Sequence, residues 1–137
     1  MFTPQLVING TADGVGNGGH QVLDMIRKAE SERDSAIKVE VKVDGEEVVV
    51  TGESEGERCF DILLVVYDPN EYAVKVERGE NRGRTLPHRN LVKSVKRIGV
   101  WKGGVARVRI PDAVERLERV VLLQEGSGGR IAGACRV

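Results

Sequence analysis

Ile37-Lys38-Val39-Glu40-Val41-Lys42-Val43-Asp44-Gly45 alternates apolar and charged residues up to its closing Asp-Gly pair. A period of two puts Ile37, Val39, Val41 and Val43 on one face of a strand and Lys38, Glu40 and Lys42 on the other, the pattern of an antiparallel sheet with one wet side. Asp44-Gly45 is a two-residue hairpin signal. Glu46 to Gly52, with Val48, Val49 and Val50, is the returning partner.

Downstream the strand signals recur at short intervals. Glu53 to Arg58 is an acidic, Gly-containing loop, and Phe60 to Tyr67 is a continuous apolar run, which predicts a central strand. Asp68-Pro69-Asn70 reads as a turn, followed by alternation at Tyr72, Val74 and Val76. Leu91 to Trp101 also fits a helical stripe, but its β-branched residues and Gly99 favour a bulged strand. Lys102-Gly103-Gly104 is a turn, and Val105, Arg107, Val108 and Ile110 begin the next strand. Pro111 to Leu117 suits one short helical turn. Val120 to Gln124 and Ile131 to Val137 form a last hairpin. About eight strands with regularly spaced turns predict an antiparallel β-sandwich over 36–137. Its expected core includes Ile37, Val39, Val41, Leu63, Val65, Val74, Val108, Leu122 and Ile131.

Upstream, Gln5 to Ile8 reads as a strand ending at Asn9-Gly10. The Gly-rich stretch Thr11 to Gly19 matches neither the dinucleotide fingerprint nor the P-loop, and reads as a flexible connection. Val22, Leu23, Met25, Ile26 and Ala29 recur at helical spacing, and the charged run Glu30 to Ser35 reads as a linker. The fold class is therefore mainly β, α+β overall, with a β–α segment over 1–35.

With 137 residues the chain is long enough for a real core. Aromatic residues are only 4%, so that core must be built from Val, Leu and Ile. Lys plus Arg and Asp plus Glu are equal at 21 each, which argues against bulk attraction to nucleic acid or anionic membrane. No apolar run approaches a membrane span, and no signal peptide is visible, so the chain as it stands reads as cytoplasmic. Cys59 and Cys135 form no metal-spaced or CxxC cluster. Each is expected to pack as a small core residue, and a disulfide between them stays open. No metal site and no cofactor are indicated.

The polar stretch from Glu77 to Asn90 lies between two apolar runs. Glu77, Glu80, Asn81, Arg84, His88, Arg89 and Asn90 are its candidate binding or structural residues. An Arg-rich loop can hold a small anionic ligand, or its arginines can pair with Glu77 and Glu80 and brace two strands. Acid–base chemistry at His88 with Glu77 or Glu80 would need a carboxylate within hydrogen-bond reach.

Thr3-Pro4-Gln5-Leu6-Val7-Ile8-Asn9-Gly10 resembles the cis-proline strand of thioredoxin folds, with Pro4 as the cis-proline candidate. There a strand, a turn, a second short strand and a final helix follow the proline. Gly79-Glu80-Asn81, Gly83-Arg84-Thr85-Leu86, His88-Arg89-Asn90, Val121-Leu122-Leu123-Gln124-Glu125 and Arg130-Ile131 resemble the signature of a thioredoxin-like family catalogued as domain of unknown function 1223. Its bacterial members are largely exported. Full-length relatives carry an upstream Cys-x-x-Cys motif that nothing in this chain matches. The resemblance therefore implies the C-terminal part of such a protein, without its redox centre. Two functions follow as expectations: a non-catalytic binding or interaction module for an unknown protein or a small anionic ligand, or a fragment of a thiol-disulfide redox protein. The unpaired apolar edge at Leu6 to Ile8 also suits a homodimer or a swapped N-terminal β–α segment, or else residues 1–30 pack on the β domain.

Overall fold

A computed structural model describes residues 5–137. Pro4, the cis-proline candidate, lies outside the described residues. Ten elements follow in order: β1 (Gln5–Ile8), β2 (Ala12–Val15), α1 (Gly19–Ser31), β3 (Ile37–Asp44), β4 (Glu47–Ser54), β5 (Phe60–Lys75), β6 (Thr85–Trp101), β7 (Gly104–Arg109), β8 (Glu118–Glu125) and β9 (Ile131–Arg136).

The alternating stretch is β3, paired antiparallel with β4 in register from Ile37↔Ser54 to Asp44↔Glu47. The pairing leaves Gly45 and Glu46 as the loop, one residue later than the Asp44-Gly45 reading. Gly45 has φ +61°, and a glycine of positive φ at the first loop position is the signature of a type II′ hairpin. β4 also pairs with β7, giving a three-stranded sheet in the order β3-β4-β7. The second sheet runs β6-β5-β8-β9, so the apolar run Phe60 to Tyr67 is central as expected.

The two sheets bury a common core. Val48 and Val50 from β4 meet Phe60, Ile62, Leu64 and Val66 from β5, Trp101 from β6, and Val121 and Leu123 from β8. Trp101 packs on Phe60 with ring centroids 5.5 Å apart, and its indole Nε1–H donates to Gly104 O at 3.0 Å. Ile37, Val39, Val41 and Val108 pack against this cluster as expected. Where the sheets approach each other at their edges, glycine makes room: a Cβ on Gly133 of β9 would lie 2.8 Å from Val41 Cγ2, and one on Gly99 of β6 would lie 2.7 Å from Val108 Cγ2.

Several expectations are corrected. Val65 is buried as expected, but the inner face of β5 and β8 otherwise has the opposite parity to the one read from the run. Ile62, Leu64, Val121 and Leu123 point inward, while Leu63 and Leu122 are half-buried on the other face. Both faces of these strands are apolar in sequence, so no alternation marked the inner one. Asp68-Pro69-Asn70 does not reverse the chain. The register shifts between Asp68 and Glu71, so the triplet is a bulge inside one 16-residue strand. Seven strands rather than eight follow residue 36. Pro111 to Leu117 is irregular, with no helical turn. Ala12–Val15, inside the Gly-rich connection, is a strand paired with β1.

The order β1-β2-α1 is observed. Asn9 and Gly10 have φ of +51° and +68°, and Thr11 N–H donates to Ile8 O at 3.0 Å. This left-handed pair makes a tight hairpin. Its apex rests on the β8–β9 turn, where Ile131 N–H donates to Asn9 O at 2.9 Å. Gly10 has no side chain to spare there: a Cβ would lie 2.7 Å from Gly129 O. Ala29 of α1 is buried, whereas Val7, Val15, Leu23 and Ile26 are exposed.

Candidate functional site

The long hairpin of β5 and β6 outruns the sheet that carries it. β8 accompanies β5 only from Phe60 to Tyr67. Beyond that point β5 pairs with β6 alone, through Glu71↔Arg89, Tyr72↔His88, Ala73↔Pro87, Val74↔Leu86 and Lys75↔Thr85. The result is a two-stranded ribbon extending about 25 Å past the end of β8, at roughly 3.3 Å per residue.

At the tip, Val76 N–H donates to Arg84 O and Gly83 N–H to Val76 O, both at 2.8 Å. These bonds close the loop over 77–84. The stretch read as one loop to Asn90 is therefore a shorter tip followed by the first part of β6. Glu77, Glu80, Asn81 and Arg84 belong to the tip; His88, Arg89 and Asn90 belong to the strand. Arg84 Nη1–H donates to Asn81 Oδ1 at 3.5 Å, a long contact between exposed groups. Among the described residues, neither Arg84 nor Arg89 makes an ion pair within 4.0 Å, so the expected pairing with Glu77 and Glu80 does not form. His88 faces Tyr72 across the ribbon rather than a carboxylate.

From Lys75 to Arg97 the chain has eight Lys or Arg and two carboxylates, a net +6, which the rest of the neutral chain offsets. Of those eight cations only Arg97 joins an ion pair among the described residues, with Asp61 at 3.6 Å. The rings of Tyr72 and His88, then the apolar Val74 and Leu86, are successive cross-strand partners on one face. Tyr72 is 44% exposed.

The base of the ribbon is pinned by Asp68, which is buried. Its carboxylate accepts from Asn70 N–H at 3.0 Å, Asn70 Nδ2–H at 2.9 Å and the Tyr72 hydroxyl at 2.8 Å. The Asn70 backbone donor, followed by the Tyr72 hydroxyl, holds the Asp68 pKa below its ordinary value. Beside the ribbon, Glu118 accepts from the Tyr67 hydroxyl at 2.9 Å and from Arg136 Nη2 at 2.6 Å. Tyr67, Pro69, Arg89, Asn90, Glu118 and Arg136 line an open concavity there.

A second charged cluster was not foreseen. Arg58 donates Nε–H to Glu125 Oε1 at 2.8 Å and Nη2–H to Glu125 Oε2 at 2.5 Å, and Nη1–H to Asp34 Oδ2 at 2.7 Å. Arg130 approaches the same Asp34 oxygen at 3.5 Å. Asp34 Oδ1 also accepts from Ala36 N–H at 3.0 Å, so the run read as a linker is fastened at both ends of its carboxylate. Hydrogen bonding to Arg58 comes first in lowering the pKa of both carboxylates, and their bonds push the guanidinium up. Sequence offered no signal for this cluster, because Asp34, Arg58 and Glu125 lie 24 and 67 residues apart.

Cys59 is exposed and Cys135 half-exposed, and both are free, which corrects their reading as core residues. Among the described residues no group of three or more His, Cys, Asp and Glu could hold a metal. No helix among them is long and apolar enough to cross a membrane.

A family model described as "Protein of unknown function (DUF1223)" matches residues 1–124. The chain belongs to the DUF1223 family. Among solved structures, this DUF1223 chain is similar to an X-ray crystal structure of a protein from Agrobacterium tumefaciens, with 23% sequence identity and a TM-score of 0.66. The match covers 100% of this chain and 62% of that one, so the DUF1223 chain spans less than two thirds of that protein. At this identity the likeness shows the fold alone. Among curated proteins, none matches.

Proposed function

We propose that the chain is a non-catalytic binding module that presents the β5–β6 ribbon to a partner, either a protein or a small anionic ligand. One observation carries this reading: the ribbon projects past its sheet with its tip arginines in no ion pair among the described residues, while Arg58, Arg107 and Arg136 elsewhere are held by carboxylates. An arginine that braces strands is tied to a partner. One left in water at the end of an arm is available to a ligand. Arg84→Ala and Arg89→Ala test it. Unchanged melting temperature with loss of binding to an anionic partner supports a site; a clear loss of stability in the absence of ligand would return both residues to a structural role.

A second reading is favoured by a different observation. Val7, Val15, Leu23 and Ile26 are exposed on β1, β2 and α1, and the similar solved protein is longer than this chain. Residues 1–35 would then be part of a thioredoxin-like segment beside a β-sandwich over 36–137, and the whole would be a fragment of a thiol-disulfide redox protein. The same exposed apolar side chains would suit a homodimer. Thiol-disulfide exchange by the purified chain above background would replace the binding-module reading with this one.

A further inference from the structure

The ribbon combines three features that together narrow its partner. The first is a free strand edge. After Tyr67 no strand pairs with β5 on the side away from β6, among the described residues. The bulge at Asp68 to Glu71 interrupts the start of that edge, and Glu71 to Lys75 resume regular pairing with β6. Backbone groups on such an edge are a template for another extended chain. The second is the row formed by Tyr72, His88, Val74 and Leu86, which offers ring faces and then aliphatic contact at alternate positions. The third is charge: the ribbon from Asp68 to Leu91 has five cations against four carboxylates, and the exposed Arg78, Arg82 and Arg84, none in an ion pair among the described residues, are crowded at its tip.

We propose that this ribbon takes up an extended acidic peptide segment as an added strand along Glu71–Lys75, with Arg78, Arg82 and Arg84 pairing with the carboxylates at one end of the segment. The inference rests on the binding-module reading and names its partner class. Alternation of acidic and apolar residues in the peptide matches both the row on the ribbon and the cations around it. A nucleic acid would use the cations but neither the main-chain edge nor the apolar row.

Fluorescence anisotropy with a labelled eight-residue peptide alternating Glu and Val tests this on the intact chain. Three comparators are needed: the same peptide N-methylated at alternate residues, a peptide alternating Lys and Val, and a duplex DNA of mixed sequence. The expected result is saturable binding of the acidic peptide alone. The double variant Arg82→Glu/Arg84→Glu, whose side chains are exposed, should weaken it at least tenfold at an unchanged melting temperature. N-methylation should also abolish it. Binding that ignores N-methylation or the charge reversal overturns strand addition at this edge. DNA binding through the same arginines, without peptide binding, overturns the peptide assignment and leaves the binding-module reading standing. Sedimentation showing self-association lost in the double variant replaces the peptide with a second copy and overturns the proposal equally. Binding of none of these probes, with no self-association, overturns the peptide assignment and leaves the binding-module reading to the separate Arg84→Ala and Arg89→Ala test.

Discussion

Arg58 and Glu125, 67 residues apart, are joined by two parallel hydrogen bonds at 2.8 and 2.5 Å, just outside the point where Phe60 pairs with Glu125 across β5 and β8. The guanidinium also lies over the Phe60 ring, 5.5 Å from its centroid, and its remaining Nη1 reaches back to Asp34 after the helix. One planar fork thus ties the end of β8 to the connection between α1 and β3. The side chains of Arg58, Asp34 and Glu125 are 22, 24 and 32% exposed, so the pairs are neither fully dry nor freely solvated.

Lys cannot reproduce the fork, because an ammonium offers no two parallel donors at carboxylate spacing. Arg58→Lys is expected to lower the melting temperature by roughly 3–6 °C at neutral pH, read by differential scanning calorimetry. An unchanged melting temperature would show that the fork contributes nothing to stability.

The same cluster sets an acid dependence. Asp34 and Glu125 have pKa values depressed in the folded state, from ordinary values of 3.8 and 4.5. A depressed carboxylate stabilises the fold above its unfolded pKa and loses that contribution as the pH falls through the folded value. The melting-temperature gap between the native chain and Arg58→Met should therefore be constant from pH 7 to about 5 and shrink below about pH 4.5. A gap that stays constant down to pH 2.5 would show that these carboxylates are not the source.

Face parity gives a paired test. Leu123 is fully buried in the core, whereas Leu122, its neighbour on β8, is half-buried on the other face. Leu123→Ala should cost about 2–5 kcal/mol through lost transfer energy and a residual cavity. Leu122→Ala should cost clearly less, and chemical denaturation that ranks them the other way would reverse the parity.

Asp68 organises the base of the ribbon through three donors. Asp68→Ala leaves the Asn70 amide and the Tyr72 hydroxyl without their acceptor. Hydrogen exchange at Glu71 to Lys75 is expected to accelerate by about tenfold or more, with β3 and β4 unaffected. Uniform acceleration across the chain would instead mark a global loss of stability.

Thiol labelling separates the two cysteines. Cys59 is exposed, whereas Cys135 is partly covered and its Sγ–H donates to Arg136 O at 3.4 Å. A water-soluble maleimide should modify Cys59 well before Cys135, and intact mass should show no disulfide.

Strand identity in β3, β4 and the central part of β5 was legible from residues 37 to 67, because a period of two and a bounded apolar run are local properties. The helix was legible for the same reason. The first hairpin turn was readable to within one residue, at Gly45, since glycine is what a positive φ demands there. Three things depended on tertiary structure. The inner face of β5 and β8 was set by packing against β4, because both faces of those strands are apolar. Asp68-Pro69-Asn70 became a bulge rather than a turn because β6 continues alongside it and Asp68 binds Asn70 and Tyr72 from within the strand. Finally, the partners of the charges were invisible in sequence. Glu77 and Glu80 are the nearest carboxylates to Arg84 along the chain, yet the tip holds them apart. Arg58 finds Asp34 and Glu125 because the sheet brings three distant segments to one corner. Periodicity is written residue by residue, whereas pairing between distant side chains exists only once the chain has closed.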